Sequence, residues 1–172
     1  MTWVIVPAIA ALLALFAFLI RSGLLRLRNS VRKSWASLDS LLLERHDLLA
    51  KLVDLCVRHM RYEQHALERV TRADVATFGA AAREDIPALV AAEKTLCASI
   101  ATLLALAENY PVLCMEPDFL RLRERVLCIG AAIIEHRELY NSAVNLLNVR
   151  SQAFPHRMIA RVIGFHAEAF FE

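Results

Sequence analysis

The sequence predicts an all-α protein, an antiparallel up-down helical bundle of long helices preceded by one N-terminal transmembrane helix. Three observations carry this expectation. Ala, Leu, Arg and Glu dominate, while 172 residues contain only four glycines and five prolines, a helix-forming composition. Apolar residues recur in alternating steps of three and four over long stretches, the seam of a helix packed in a bundle. Trp3 to Ile20 is an apolar run with no charge and no glycine. As a helix it reaches roughly 27 Å, close to the thickness of a bilayer's hydrocarbon core.

The apolar run has no polar face, which a helix in water requires. Arg21, Arg26, Arg28, Arg32 and Lys33 follow it with no acidic residue among them. This basic cluster at the membrane surface predicts a single pass with the N-terminus outside and the rest of the chain in the cytoplasm. It is also suited to anionic headgroups. A cleaved signal peptide is the rival reading. It needs positive charge before the apolar core and small residues at a cleavage site, whereas here the charge follows and Ile20-Arg21 would be the junction. Pro7 sits in the first turns, where a missing donor matters little. The expected division is 1–23 for the anchor and 24–172 for the bundle, leaving about 150 residues, enough for one core.

The first bundle helix has its seam at Leu24, Arg28, Val31, Trp35, Leu38, Leu42, Arg45, Leu49, Leu52, Cys56 and His59. No proline and only one glycine, Gly79, intervenes before Arg83, so one long helix, or two stacked end to end, is expected over Leu24–Phe78. Gly79 and the run Arg83–Pro87 mark a turn, with Asp85 as N-cap and Pro87 in the first turn of the next helix. That helix carries the stripe Leu89, Glu93, Leu96, Ile100, Leu103, Ala107 and Tyr110 and stops at Pro111. A linker, Val112 to Glu116, leads to Pro117. The third helix has the stripe Phe119, Leu122, Val126, Ile129, Ile133, Arg137, Tyr140, Val144, Leu147, Ser151 and Phe154. The tail from His156 predicts a short helix with Met158, Ile159, Val162 and Ile163 inward, bent or ended at Gly164. There is no β-period and no tandem repeat.

Several polar residues stand where apolar ones are expected. Arg45, Arg137, Glu93 and Ser151 fall on core stripes, and Asn141 and Asn148 flank the third one. A buried charge costs several kcal/mol unless it is paired. The acids available to the arginines are Asp39, Asp47, Glu93 and Glu108. Together with Tyr140 these residues form a candidate interhelical polar network. It either fixes helix register, as single polar core positions do, or lines a polar pocket.

Common chemistries lack their residues. No glutamate has a histidine three positions on, which a di-iron bundle needs. The six histidines make no metal-spaced pair on one helix face. There is no glycine-rich phosphate loop and no nucleophile elbow. No metal, cofactor or catalytic residue is therefore expected. The net charge is +2, and Arg121-Leu122-Arg123-Glu124-Arg125 mixes signs as a solvated face does, so nucleic acid is not an expected partner. Cys56, Cys97, Cys114 and Cys128 are widely spaced and fit a reducing compartment as small apolar residues.

Ordered motifs along nearly the whole of the bundle resemble one family. Leu27-Arg28-Asn29-Ser30-Val31, Trp35, Asp39 and Arg45-His46-Asp47-Leu48 resemble the start of the LemA domain. Glu63, Leu67, Glu68 and Val70 are similar to its next segment. Its second half is matched by Glu108-Asn109-Tyr110-Pro111, Phe119, Arg137-Glu138-Leu139-Tyr140-Asn141, Val144, Asn148, Phe154-Pro155, Ile159-Ala160, Gly164-Phe165 and Phe171. The chain departs from the pattern at Ala50 and Lys51, where Pro and Asn are usual, at Tyr62 in place of His, and at Gly130, where Glu is common. Arg21-Ser22 replace a common Tyr-Asn pair. The resemblance implies a bacterial inner-membrane protein with an N-terminal span, a helical bundle and no established enzymatic activity.

Residues and resemblance together predict a non-enzymatic, membrane-anchored scaffold or adaptor. Its expected partners are the lipid bilayer, other membrane or membrane-associated proteins, and a second copy of itself. The alternative is a tethered sensor binding a small ligand or lipid between helices through Arg45, Arg137, Tyr140 and Asn141. Phe165, Phe170 and Phe171 either form a contact surface or cap the core.

Overall fold

The computed structural model describes residues 2–153 and 169–171, and every regular element among them is an α-helix. The helices are α1 (Thr2–His59), α2 (Gln64–Ala82), α3 (Ile86–Ala107), α4 (Pro111–Cys114) and α5 (Pro117–Gln152). The all-α expectation holds. The short helix expected beyond His156, with Met158, Ile159, Val162, Ile163 and Gly164, lies outside the described residues, as do Phe154 and Phe165.

The chain divides into two compact units, Met1–Trp35 with Leu139–Phe170, and Ala36–Glu138 with Phe171–Glu172. In the first unit Leu24, Val31, Tyr140, Val144 and Leu147 are buried. The rings of Trp35 and Tyr140 meet at 5.7 Å, tilted by 59°, a favourable aromatic geometry. Tyr140 Oη donates to the carbonyl of Ala169 at 3.1 Å, so the buried phenol satisfies its polar end. In the second unit the core is built from Leu38, Leu49, Leu52 and Cys56 of α1, Leu67 and Val70 of α2, Leu89, Leu96 and Leu103 of α3, and Phe119 and Val126 of α5. Those of α1, α3 and α5 lie on the stripes expected from the periodicity. Helices α2 and α3 pack against each other.

The stretch expected to be one helix, or two end to end, is two helices with a turn at residues 60–63 that contains neither glycine nor proline. Met60 is fully buried while Tyr62, two positions on, is 93% exposed. The chain is thus drawn into the core and immediately out again. The Met60 N–H still bonds Cys56 O at 2.7 Å, and Met60 O accepts from Glu63 N. Glu63 O then starts α2 by accepting from Ala66 N and Leu67 N. Arg58 and His59 lie in the last turn of α1, where positive charge favours the helix dipole.

At the next turn Asp85 is the N-cap of α3, its Oδ1 accepting from Ala88 N at 3.1 Å, with Pro87 in the first turn. This matches the sequence expectation. Gly79, however, lies inside α2 rather than in the turn. The turn instead uses Glu84, whose φ is 52°. Asp85 N bonds Ala80 O and Glu84 N bonds Ala81 O, the pair of bonds that closes a Schellman motif. Its left-handed position normally takes glycine, because a Cβ is strained there. Glu84→Gly is therefore expected to raise stability by about 1 kcal/mol, read as a higher denaturant midpoint at unchanged slope.

The linker after Pro111 is also more ordered than expected. Pro111 opens α4, with Tyr110 as its N-cap residue and Leu113 buried beneath it. Pro117 starts α5 as predicted.

Candidate functional site

The polar residues on the stripes of the second unit converge. Arg45 is 3% exposed and Glu93 8%. The Arg45 guanidinium donates from Nη1 to Glu93 Oε2 at 3.1 Å and from Nη2 to Oε1, a two-pronged pair between α1 and α3. Arg45 Nε is buried without an acceptor among the described residues. Arg137 of α5 is half-buried, its guanidinium 5.9 Å from the centre of the Phe171 ring, a cation–π contact. Phe171 is 1% exposed and Phe170 41%.

The other sequence-predicted members of the network lie elsewhere. Asp39 and Asp47 are exposed on α1. They are six and two positions from Arg45, so they leave the helix on other faces. Glu108 is exposed and 4.0 Å from Arg123. Tyr140, Asn141 and Asn148 belong to the first unit, Tyr140 buried and the two asparagines half-buried. Of the basic cluster, Arg21, Arg26, Arg32 and Lys33 are exposed and Arg28 is half-buried on α1. The mixed-charge run of α5 pairs Arg121 with Asp118 and Arg125 with Glu44, exposed pairs of small energetic weight.

Beside the Arg45–Glu93 pair lies a cavity of about 780 Å³, within the second unit, between α3 and α5. Val90, Ile100, Leu104, Leu127 and Ile134 give it apolar walls, and Arg45, Glu93, Lys94, Cys97 and Arg137 its polar ones. Gly130 is part of the wall, and a Cβ built there meets nothing within 4 Å. The volume falls in the roughly 300–1,000 Å³ range of sites that enclose a small molecule.

A second polar contact was not anticipated from the sequence. His46 Nδ1 lies 2.7 Å from Asp74 Oδ2, and the Phe78 ring stacks on the imidazole at 4.8 Å. Asp74 is 7% exposed and falls on the apolar stripe of α2 between Val70 and Thr77, the pattern that would have found it. Burial pushes its carboxyl above the ordinary 3.8, against the opposing pull of His46 and Arg45, while Glu93 adds to the rise. A carboxyl raised in the folded state stabilises the fold below its unfolded pKa, and that contribution is lost as pH rises through the folded value. Chemical denaturation from pH 4 upward is expected to show wild-type stability falling relative to Asp74→Asn across the carboxylate range.

The cysteines differ in the same physical way. Cys56 is fully buried, and burial pushes its thiol up to about 11. Burial and the Glu93 carboxylate raise Cys97. Cys128 is exposed. Since the thiolate is the reactive form, maleimide at neutral pH is expected to label Cys128 first and Cys56 only on unfolding, as read by peptide mass spectrometry.

Residues 34–172 match the model of the LemA family. None of the curated proteins compared matches the chain.

Proposed function

The chain belongs to the LemA family, a membrane-associated family, and from that membership we propose that it is a non-enzymatic, membrane-anchored helical-bundle scaffold or adaptor. In this reading residues 1–23 cross the inner membrane of a bacterium once, with the N-terminus outside and the domain that follows in the cytoplasm. The observation that carries it is the surface of the first turns of α1. Leu12, Leu15, Phe16, Phe18 and Leu19 are each more than half exposed. These five side chains cover roughly half the circumference of the helix, and large apolar groups so exposed are unfavourable in water and favourable in lipid. Among the described residues, α3 is the helix long and apolar enough to cross a membrane by length and composition. It packs against α2 and carries Glu93 to the buried Arg45, which is the work of a core helix.

Crosslinking in intact membranes, followed by mild extraction and mass spectrometry, tests the proposal. A stoichiometric protein partner or a defined homo-oligomer supports a scaffold. A monomer with no specific neighbour overturns it. The cavity between α3 and α5 favours a second reading, a tethered sensor that binds a small ligand between helices; a bound mass that survives extraction and is lost when the cavity is filled supports it.

A further inference from the structure

We propose that the cavity holds a single-chain carboxylate amphiphile, a long-chain fatty acid, with its carboxylate at Arg137 and Lys94 and its chain running toward Leu104 and Leu127. The inference rests on the ligand-binding reading above and names the ligand's chemistry. Its basis is the separation of charge from hydrocarbon inside one cavity.

Arg45, Lys94 and Arg137 face a single carboxylate, Glu93, leaving an excess of two positive charges on the lining. Glu93 is already engaged by both terminal nitrogens of Arg45. Neither Lys94 nor Arg137 has a carboxylate within ion-pair reach among the described residues. A half-buried guanidinium without a counter-charge is costly, and an incoming carboxylate relieves that cost with charge-assisted hydrogen bonds.

The charges gather at one end. Glu93, which holds Arg45, and Lys94 lie toward the start of the α3 wall, and Arg137 is the last α5 residue of the lining; Cys97, one turn on from Glu93, senses Glu93, Arg45 and Arg137. Away from that turn the lining is Ile100, Ala101 and Leu104 on α3, and Val126 and Leu127 on α5. From Lys94 to Leu104 the α3 wall runs roughly 15 Å at the helical rise, the reach of one acyl chain. Gly130 widens the cavity, because no side chain projects from it and no atom fills the space. An anionic head on an apolar single tail is the complement of such a lining. A nucleotide or sugar would leave its polar groups against hydrocarbon.

The test uses the full chain in phosphatidylcholine vesicles with a diazirine-bearing palmitic acid, and the labelled residues are mapped by mass spectrometry. Label is expected on cavity residues such as Cys97, Ala101 or Ile134, competed by unlabelled palmitate. The corresponding diazirine alcohol is expected to label about tenfold less, the loss expected for a charged hydrogen-bonding group. Arg137→Gln should reduce labelling similarly and Arg137→Lys should restore part of it. Gly130→Leu should abolish labelling while leaving the helical circular dichroism intact, and Ala101→Leu blocks the opposite wall should the first variant fail to fold.

Equal labelling by acid and alcohol, or no effect of Arg137→Gln, overturns the carboxylate and leaves a ligand cavity. Labelling by diazirine-phosphatidylglycerol in place of the free acid overturns the fatty acid in favour of a bilayer lipid. No cavity label from any probe overturns the ligand-binding reading itself, and a crosslinked dimer through these residues assigns the groove to a second copy.

Discussion

Arg45→Met is expected to destabilise the protein by about 3–5 kcal/mol, because it leaves the Glu93 carboxylate buried without its counter-charge. Glu93→Leu should cost a similar amount for the converse reason. The double variant should recover most of the loss, and it can exceed wild type, since hydrophobic replacement of a whole buried pair is often neutral or stabilising by about 1–4 kcal/mol. The unfilled Arg45 Nε favours that outcome, because the native pair does not satisfy all of its own donors. Denaturant unfolding of the four proteins gives the coupling directly. Additive single losses would mean that the two side chains do not act as a pair. Partner capture by a folded Arg45→Met/Glu93→Leu variant separates register from recognition: retained capture assigns the pair to register, and lost capture assigns it to binding.

Phe119→Ala is the second large effect, about 3–5 kcal/mol. Phe119 is 1% exposed near the start of α5, and truncation removes its buried area and leaves a cavity that close-packed neighbours fill only partly. The control lies on the same helix. Ile134 is 54% exposed, so Ile134→Ala is expected to cost under about 1 kcal/mol. Thermal unfolding should separate the two variants by roughly 10 °C. Equal losses would place Ile134 against something that excludes water in the folded protein.

The stripes were legible because burial repeats at the helical period, and Leu38, Leu52, Leu96, Val126 and Val144 stand buried as that period requires. The α3 start was legible because Asp85 and Pro87 act through neighbours one to three residues away. The turn at residues 60–63 was not, since nothing in Met60-Arg61-Tyr62-Glu63 forbids helix, and the turn is made by tertiary burial of Met60. Glu84 was hidden for a related reason: a left-handed residue without glycine has no compositional mark. For the site, Arg45 and Glu93 announced themselves as charges on apolar stripes. Periodicity could not choose Glu93 from among four acids, because the choice depends on which helix lies opposite. Phe171 lies 34 residues beyond Arg137 in the chain, and no local pattern links them.

The two units differ in how the chain assembles them. The second is nearly contiguous, Ala36–Glu138, and its α2–α3 pair closes over three residues, so little loop entropy opposes it. The first joins Met1–Trp35 to Leu139–Phe170, segments separated by all of the other unit but its last two residues. During synthesis, which adds about 5–20 residues per second, the N-terminal half of the first unit therefore emerges several seconds before its complement exists. In that interval Leu24 and Val31 have no native surface to cover them. A nascent chain halted after Glu138 would carry a folded second unit beside an unpaired, strongly apolar leading segment, the species on which insertion machinery and chaperones act.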